Sequence, residues 1–286
     1  MLTAALAHAA ADSRGATAQV LLRWDDTDRT RASAENKWCL RSELAEMAGI
    51  PIDAGGRHGE LHQSRRDMIY RTAVDRLVEL GLTKVQDGCP ALNLPAMDAY
   101  LVATGVDPSM LARARIVNSQ VVPEPQRQTV RLVRSDGTVL WHLATVVDDL
   151  EAGVNLIVRG VDKIDATSIQ ERLRAVLAPH QRAAYVFLPR LRPATGAPKT
   201  RVVDVQAAGI SAAALRWFLA ETYVLGEEPV ITFRELVDRL RPVLPKSRDS
   251  RLDLQRLNSM ERKLKRAHRA SSTAPICALE DQASPS

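Results

Sequence analysis

Apolar residues recur along the first two thirds of the chain in two alternating rhythms, helical spacing and short unbroken runs. Leu2 to Asp12 reads as a helix closed by Gly15, and Ala18 to Arg23 as a short buried strand. Ala34 to Ala48 places Trp38, Leu40, Leu44 and Met47 at helical spacing and stops at Gly49. Arg65 to Leu80 is the clearest helix: Met68, Ile69, Ala73, Leu77 and Leu80 share a face, and Gly81 supplies a C-terminal cap. Val130 to Arg134, Asn155 to Arg159 and Tyr185 to Leu191 read as strands, and Ser168 to Leu177 as a helix ended by Pro179. Strands that alternate with helices predict an α/β fold with a parallel sheet.

The rhythm changes after about residue 205. Ala212 to Thr222, Thr232 to Leu240 and Asp253 to Arg269 are all helical in pattern. From Arg239 to Arg269 eleven Lys/Arg face three acids, a local net of +8 where the whole chain carries +5, so the positive charge is concentrated here. Such a stretch suits a polyanionic partner, or is a solvated helix face. Ser271 to Ser286 is small, polar and proline-containing, and disorder is expected there.

Composition removes several classes. With 286 residues, 45% hydrophobic and 26% charged, the chain is globular, with neither fibrous nor wholly disordered character. No apolar run reaches the ~20 residues of a membrane helix, and a cytoplasmic protein is expected. Aromatics at 4% make base stacking on many rings an unlikely main mode of action. Cys39, Cys89 and Cys277 lie 50 and 188 residues apart, which suggests neither a zinc site nor a disulfide framework.

Four segments carry chemistry. Arg23-Trp-Asp-Asp-Thr-Asp-Arg29 puts three carboxylates at the C-terminal end of a strand, where ligands bind in open α/β sheets; a loop with an Asp-rich cap is the alternative. His62-Gln-Ser-Arg-Arg66 leads into Tyr70. Arg134-Ser-Asp-Gly-Thr138 is followed by Trp141-His-Leu-Ala-Thr-Val-Val-Asp-Asp149. Ile157-Val-Arg-Gly-Val-Asp162 precedes Thr167 and Gln170. Arg159 there ends an apolar strand and could clamp a carboxylate bidentately; spacing alone favours a structural ion pair with Asp148 or Asp149.

In order and in spacing, LLRWDDTDR, LHQSRR, RSDGTVLWHLATVVDD and IVRGVDKIDATSIQ resemble the catalytic domain of the glutamyl-tRNA synthetases, from about residue 1 to 270. The family pattern is LRIEDTDR, YQSxR, RSDGxPxYxxAxVVDD and VIRGEDxxxxTxxQ. The resemblance implies a Rossmann-like doubly wound parallel sheet with a short acceptor-end insert and a C-terminal helical connecting domain. It divides the chain into 1–82 and 131–205 as the two catalytic halves, 83–130 as the insert, 206–270 as a basic stem-contact domain and 271–286 as a tail. It implies ATP-dependent activation of glutamate, or of a related amino acid, and transfer to tRNA by a monomer, with ATP and Mg2+ but without zinc. By the same resemblance Asp25 meets the substrate ammonium, Trp141 and Thr145 line the amino-acid pocket, and Arg159 takes the side-chain carboxylate. Asp162, Lys199 and Arg201 lie toward ATP, and Arg262, Lys263, Lys265 and Arg266 contact tRNA phosphates.

The departures from the pattern keep other readings open. The family's first strand and HIGH motif would precede Met1; an upstream start or truncation is the expected reason, and a degenerate paralogue the alternative. The family's KLSKR loop is represented by Thr195-Gly-Ala-Pro-Lys-Thr-Arg201. Phe187 stands for its His, Val161 for its acid, Lys163 for a second His, Trp141 for its Tyr and Thr145 for its Asn. A catalytically degenerate tRNA-binding paralogue, or an enzyme that forms an adenylate of another amino acid or uses another acceptor, are the alternatives.

Overall fold

The computed structural model describes residues 2–27, 40, 41, 43, 61–113, 121–193, 202–224, 229, 232–241 and 249–272. The elements run α1 (Leu2–Asp12), β1 (Arg23–Trp24), β2 (Leu61–His62), a 3-10 turn (Gln63–Arg65), α2 (Asp67–Glu79), β3 (Thr83–Gln86) and β4 (Cys89–Asn93). Then follow α3 (Leu94–Ala103), α4 (Pro108–Arg113), β5 (Thr129–Arg131), α5 (Trp141–Glu151), β6 (Leu156–Gly160) and a second 3-10 turn (Val161–Lys163). The remainder is α6 (Ile164–Leu177), β7 (Ala184–Leu188), β8 (Leu191–Arg192), α7 (Val202–Ala207), α8 (Ala212–Tyr223), α9 (Phe233–Leu240), β9 (Ser250–Arg251) and α10 (Leu254–Ser272).

The α/β expectation holds. β1 pairs with β2 in parallel, and β6 pairs with β7 in parallel from Leu156↔Ala184 to Gly160↔Leu188, with α6 as the crossover. β3, β4 and β5 form a separate antiparallel sheet. The strand that the pattern starts at Val130 therefore joins the 83–93 hairpin, through Leu92↔Val130 and Ala91↔Arg131. Three strand boundaries need correction. The strand expected over 130–134 is Thr129–Arg131. The strand expected over 18–23 is Arg23–Trp24 only, because β2 stops at His62 where the chain curls into the 3-10 turn. The strand expected to reach Leu191 ends at Leu188, before Pro189, which has no N–H for a ladder. The helix expected from Ser168 starts earlier, at Ile164.

Caps explain why several helices start and stop where the pattern places them. Thr232 and Glu235 form a reciprocal capping box on α9: Glu235 N–H donates to Thr232 Oγ1 at 3.2 Å, and Thr232 N–H to Glu235 Oε2 at 2.8 Å. Ser211 Oγ caps α8 by accepting from Ala214 N–H, and Gly81 at φ +70° turns the chain out of α2. Of the helix expected over 34–48, only residues 40, 41 and 43 are described, and these are helical. The tail from 273 lies outside the described residues.

Three apolar clusters matter for the site. The largest packs α2, α3, α5 and α6 against the antiparallel sheet through Tyr70, Leu77, Leu92, Met97, Leu143 and Leu173. A second joins α1 to β7 and α9 through Ala5, Leu6, Val186, Leu236 and Val237. A third seats α10 on α8 through Leu257, Met260, Trp217 and Phe218. No helix among the described residues is long and apolar enough to cross a membrane.

Leu143 is fully buried at the centre of the largest cluster, on the helix that also carries the polar site. Leu143→Ala should lower unfolding stability by about 2–5 kcal/mol, read from the urea midpoint at constant m.

Candidate functional site

The polar centre is built on α5. Asp148 and Asp149 are both buried, at 1% and 8% exposure, so each must be fully partnered. Asp148 Oδ1 accepts from Arg66 Nε and from Tyr70 Oη, both at 2.8 Å. Its Oδ2 accepts from Gln63 Nε2 at 3.0 Å. Asp149 Oδ1 accepts from Arg23 Nη1 at 2.7 Å, and its Oδ2 from Arg174 Nη2 at 3.3 Å. The chain of charge continues on α6 and β7: Arg174 Nε lies 3.2 Å from Glu171 Oε1, which accepts from Tyr185 Oη at 2.6 Å. Burial raises the Asp149 carboxyl above its usual range, against the pull of Arg23 and Arg174. Burial, then the neighbouring carboxylates, push the Tyr70 and Tyr185 hydroxyls far above theirs.

The three acids that the pattern places after the first strand separate. Asp26 is buried and holds the 3-10 turn: Ser64 N–H donates to it at 2.8 Å, Ser64 Oγ at 3.0 Å, and His62 Nδ1 lies 3.3 Å away. That makes Asp26 an anchor of the local backbone. Asp25 is exposed at the front, where Arg23 Nε donates to Oδ1 at 2.7 Å and Trp141 Nε1 to Oδ2 at 3.2 Å. Asp28 lies outside the described residues. Asp25 and Trp141, 116 residues apart, are thus in contact, as a shared pocket requires.

Arg159 ends β6. Its Nη1 donates to Gln170 Oε1 at 2.5 Å and its Nη2 to Thr167 Oγ1 at 2.6 Å, both from α6. The guanidinium lies 4.9 Å from the Tyr185 ring centroid and 5.8 Å from that of Phe187. Among the described residues it has no ion pair. The structural pair with Asp148 or Asp149 that spacing favours does not form, because those carboxylates are taken by Arg23, Arg66 and Arg174. Burial lowers the Arg159 pKa, partly offset by Tyr185, Asp149 and Glu171. Arg159 Nε, Gln170 Nε2, Thr145 Oγ1 and Gln63 Oε1 are buried without a hydrogen-bond partner. A buried cation beside unpaired donors and acceptors is suited to a carboxylate ligand with further polar groups.

The remaining expected residues are placed as follows. Thr145 is buried one turn along α5 from Trp141. Asp162 sits in the turn after β6, folded over Gly160 so closely that a Cβ there would collide with its carboxylate; Lys163 Nζ is 3.4 Å from it and 5.5 Å from the Trp141 ring centroid. Lys199 and Arg201 lie outside the described residues. Arg262, Lys263, Lys265 and Arg266 are exposed on α10; Lys263 Nζ lies 5.8 Å from the Trp217 ring centroid and Lys265 Nζ 3.2 Å from Glu261 Oε1. Arg262 and Lys265, with Gln255 and Asn258, line an open cavity of about 590 Å3 against Ala208 and Gly209. Sequence reasoning gave no role to Arg23, Thr167, Gln170 or Tyr185, although the first three stand inside the quoted motifs. Among the described residues, no group of three or more His, Cys, Asp or Glu is gathered as for a metal ion.

No family model matches the chain. It is 30% identical over 206 residues to a glutamyl-Q tRNA(Asp) synthetase of Xanthomonas axonopodis pv. citri, covering 61% of this chain and 67% of that one. It is 31% identical over 191 residues to glutamate–tRNA ligase 2 of Hyphomonas neptunium, covering 55% of this chain and 41% of that one. The chain thus spans less than half of the latter relative's length. A solved glutamate tRNA ligase from Elizabethkingia meningosepticum, in complex with its amino acid, superposes with TM-score 0.63 at 13% identity, over 93% of this chain and 66% of that one. That likeness shows the fold.

Asp148→Ala would take one of the two carboxylates from Arg66, which keeps Glu151, and leave the Tyr70 hydroxyl and the Gln63 amide N–H unpaired in the interior. A loss of about 3–5 kcal/mol in unfolding free energy is expected from denaturant titration.

Proposed function

The chain belongs to the glutamyl-tRNA synthetase family, and on that premise we propose that it activates glutamate with ATP and passes the glutamyl group to a tRNA. The observation that supports this best is Arg159, a largely buried guanidinium that has neutral partners on α6 and no carboxylate among the described residues. A glutamate side chain would supply that carboxylate. Gln170 and Thr167 fix the plane of the fork, so its remaining N–H groups meet the ligand without reorganisation.

In this reading Asp25 receives the substrate ammonium. Its oxygens already accept from Arg23 and Trp141, so the ammonium joins or displaces the indole N–H. Trp141 and Thr145 wall the pocket. The first step joins an α-carboxylate oxygen of glutamate to the α-phosphorus of ATP, and pyrophosphate leaves. In the second, a ribose hydroxyl at the tRNA 3′ end attacks the acyl carbon; its proton is lost and AMP leaves. Neither step needs a covalent bond to the protein, so the chain contributes position and charge. Asp162, Lys199 and Arg201 are assigned to the ATP side, and Arg262, Lys263, Lys265 and Arg266 to tRNA phosphates. The described residues offer no cluster of ligands for Mg2+, and no step is assigned to the metal.

One observation favours a second reading, a tRNA-binding paralogue without catalysis. Phe187, where the family pattern has a His, is fully buried and stacks on Tyr185 at 6.1 Å, so that position is apolar core. ATP–pyrophosphate exchange with glutamate, with and without tRNA, separates the two readings: exchange supports the ligase, and its absence in a folded sample supports the paralogue.

Arg159→Ala should weaken glutamate binding by at least about 2 kcal/mol, roughly thirtyfold in Kd by calorimetry; unchanged affinity overturns the assignment. Replacing Arg262, Lys263, Lys265 and Arg266 together by Gln should reduce the salt slope of tRNA binding by up to about 3; an unchanged slope returns α10 to a solvated face.

A further inference from the structure

Arg159 is held in a way that leaves donors to spare and no acceptor. A guanidinium carries five N–H groups. Two are used within the protein, Nη1 on Gln170 Oε1 at 2.5 Å and Nη2 on Thr167 Oγ1 at 2.6 Å. Both acceptors stand on α6, three residues apart and so on one face. Arg174 continues that face and ends it in the ion pair with Asp149. The Thr167 hydroxyl proton goes to the Lys163 carbonyl at 3.2 Å, and the Tyr185 hydroxyl proton to Glu171 at 2.6 Å. Gln170 differs from both. It is 2% exposed, and its Nε2 is buried without a hydrogen-bond partner, as is Arg159 Nε. Arg159 fixes which end of the amide is which, because the reversed amide would set N–H against N–H. By bond lengths, Nε2 therefore lies within about 5 Å of Arg159 Nη1.

We propose that Gln170 is a specificity-determining residue: its free amide N–H joins Arg159 in donating to the substrate's side-chain carboxylate, and it turns away the corresponding amide. The inference deepens the reading of Arg159 as the carboxylate site and rests on it. A carboxylate accepts at both oxygens, so one can meet the guanidinium and the other Nε2. A carboxamide accepts through its single oxygen. Its NH2 group would be set against the guanidinium or Nε2, while the acceptors on α6 are already taken by Arg159. Buried donors would then lack partners, which is how a site of fixed polarity rejects a close isostere. Thr145 Oγ1, also buried and unpartnered, both gives and receives, and so does not choose between the two ligands. Gln170→Glu keeps the shape and reverses the polarity. It would give Arg159 an ion pair, repel an acidic ligand, and offer an oxygen in place of Nε2 to the N–H of an amide. A glutamine that serves to hold Arg159 in place and nothing more would, when replaced, weaken both ligands alike.

The test is calorimetric titration of the full chain with glutamate and with glutamine at pH 7.5, in the wild type, Gln170→Glu and Gln170→Met. Urea midpoints establish which variants are folded. The wild type should bind glutamate at least about a hundredfold more tightly than glutamine. Gln170→Met, of similar volume and without a donor, should narrow that ratio about tenfold. Gln170→Glu should lose at least about thirtyfold in glutamate affinity and bind glutamine more tightly than the wild type does. If Gln170→Glu does not fold, Gln170→Met carries the test. The wild-type ratio in the folded variants, or both ligands weakened by one factor, overturns the role of Gln170 and leaves Arg159 standing. Equal binding of the two ligands by the wild type overturns it as well. No glutamate binding by the wild type overturns the carboxylate site itself, and Gln170 with it.

Discussion

Asp148 and Asp149 are consecutive on a helix, so their side chains leave the axis about 100° apart. Nothing but the backbone of α5 is needed to aim two buried carboxylates in two directions. One meets Gln63, Arg66 and Tyr70, and so fixes the 3-10 turn and the start of α2. The other meets Arg23 and Arg174, and so fixes the start of β1 and the last turn of α6. Burying these ions is costly, and the cost is offset only while each keeps its partners. The interior therefore has little freedom to slide. Arg159, Thr167 and Gln170 are carried on β6 and α6, and α6 is itself held by Arg174. The placement of Arg159, Thr167 and Gln170 thus depends on carboxylates that are already taken by protein partners.

Local pattern carried much of the fold because helix ends are decided locally. Thr232 three residues before Glu235, Ser211 before an Ala-rich run and Gly81 after a periodic stretch each settle a boundary with a few side chains. Strand partners are another matter. That Val130 faces Leu92 in an antiparallel sheet depends on a connection that runs through α3 and α4, and alternation does not encode a partner. The candidate site was legible in the same uneven way. Motif spacing brought Asp25, Trp141, Thr145 and Arg159 onto neighbouring elements. It could not say which carboxylate each arginine takes. Arg23 and Asp149 are 126 residues apart, and their pairing frees Arg159 from the partner that spacing alone would give it.

The pocket is also more connected than a set of separate contacts. Trp141 donates to Asp25 while Lys163 lies over its ring, and Lys163 reaches Asp162. A group that displaces the indole from Asp25 would shift a cation on the far side of the ring. Interactions coupled in this way do not add, and any one of them measured alone will misstate its share.

The first helix has a bearing on how the molecule holds together. α1 lays Ala5, Leu6 and Ala9 against α9, and Asp12 pairs with Arg234 and Arg241 at either end of that helix. α1 and α9 thus close over Val186 of β7, the strand beside the one that carries Arg159. Loosening either helix would open the same apolar seam, so the two should melt together as one cooperative unit. The basic α10 is seated apart from this seam, on α8 through Leu257 and Met260. Strain applied to α9 would reach β7, and through it β6, by way of packed alanine and leucine.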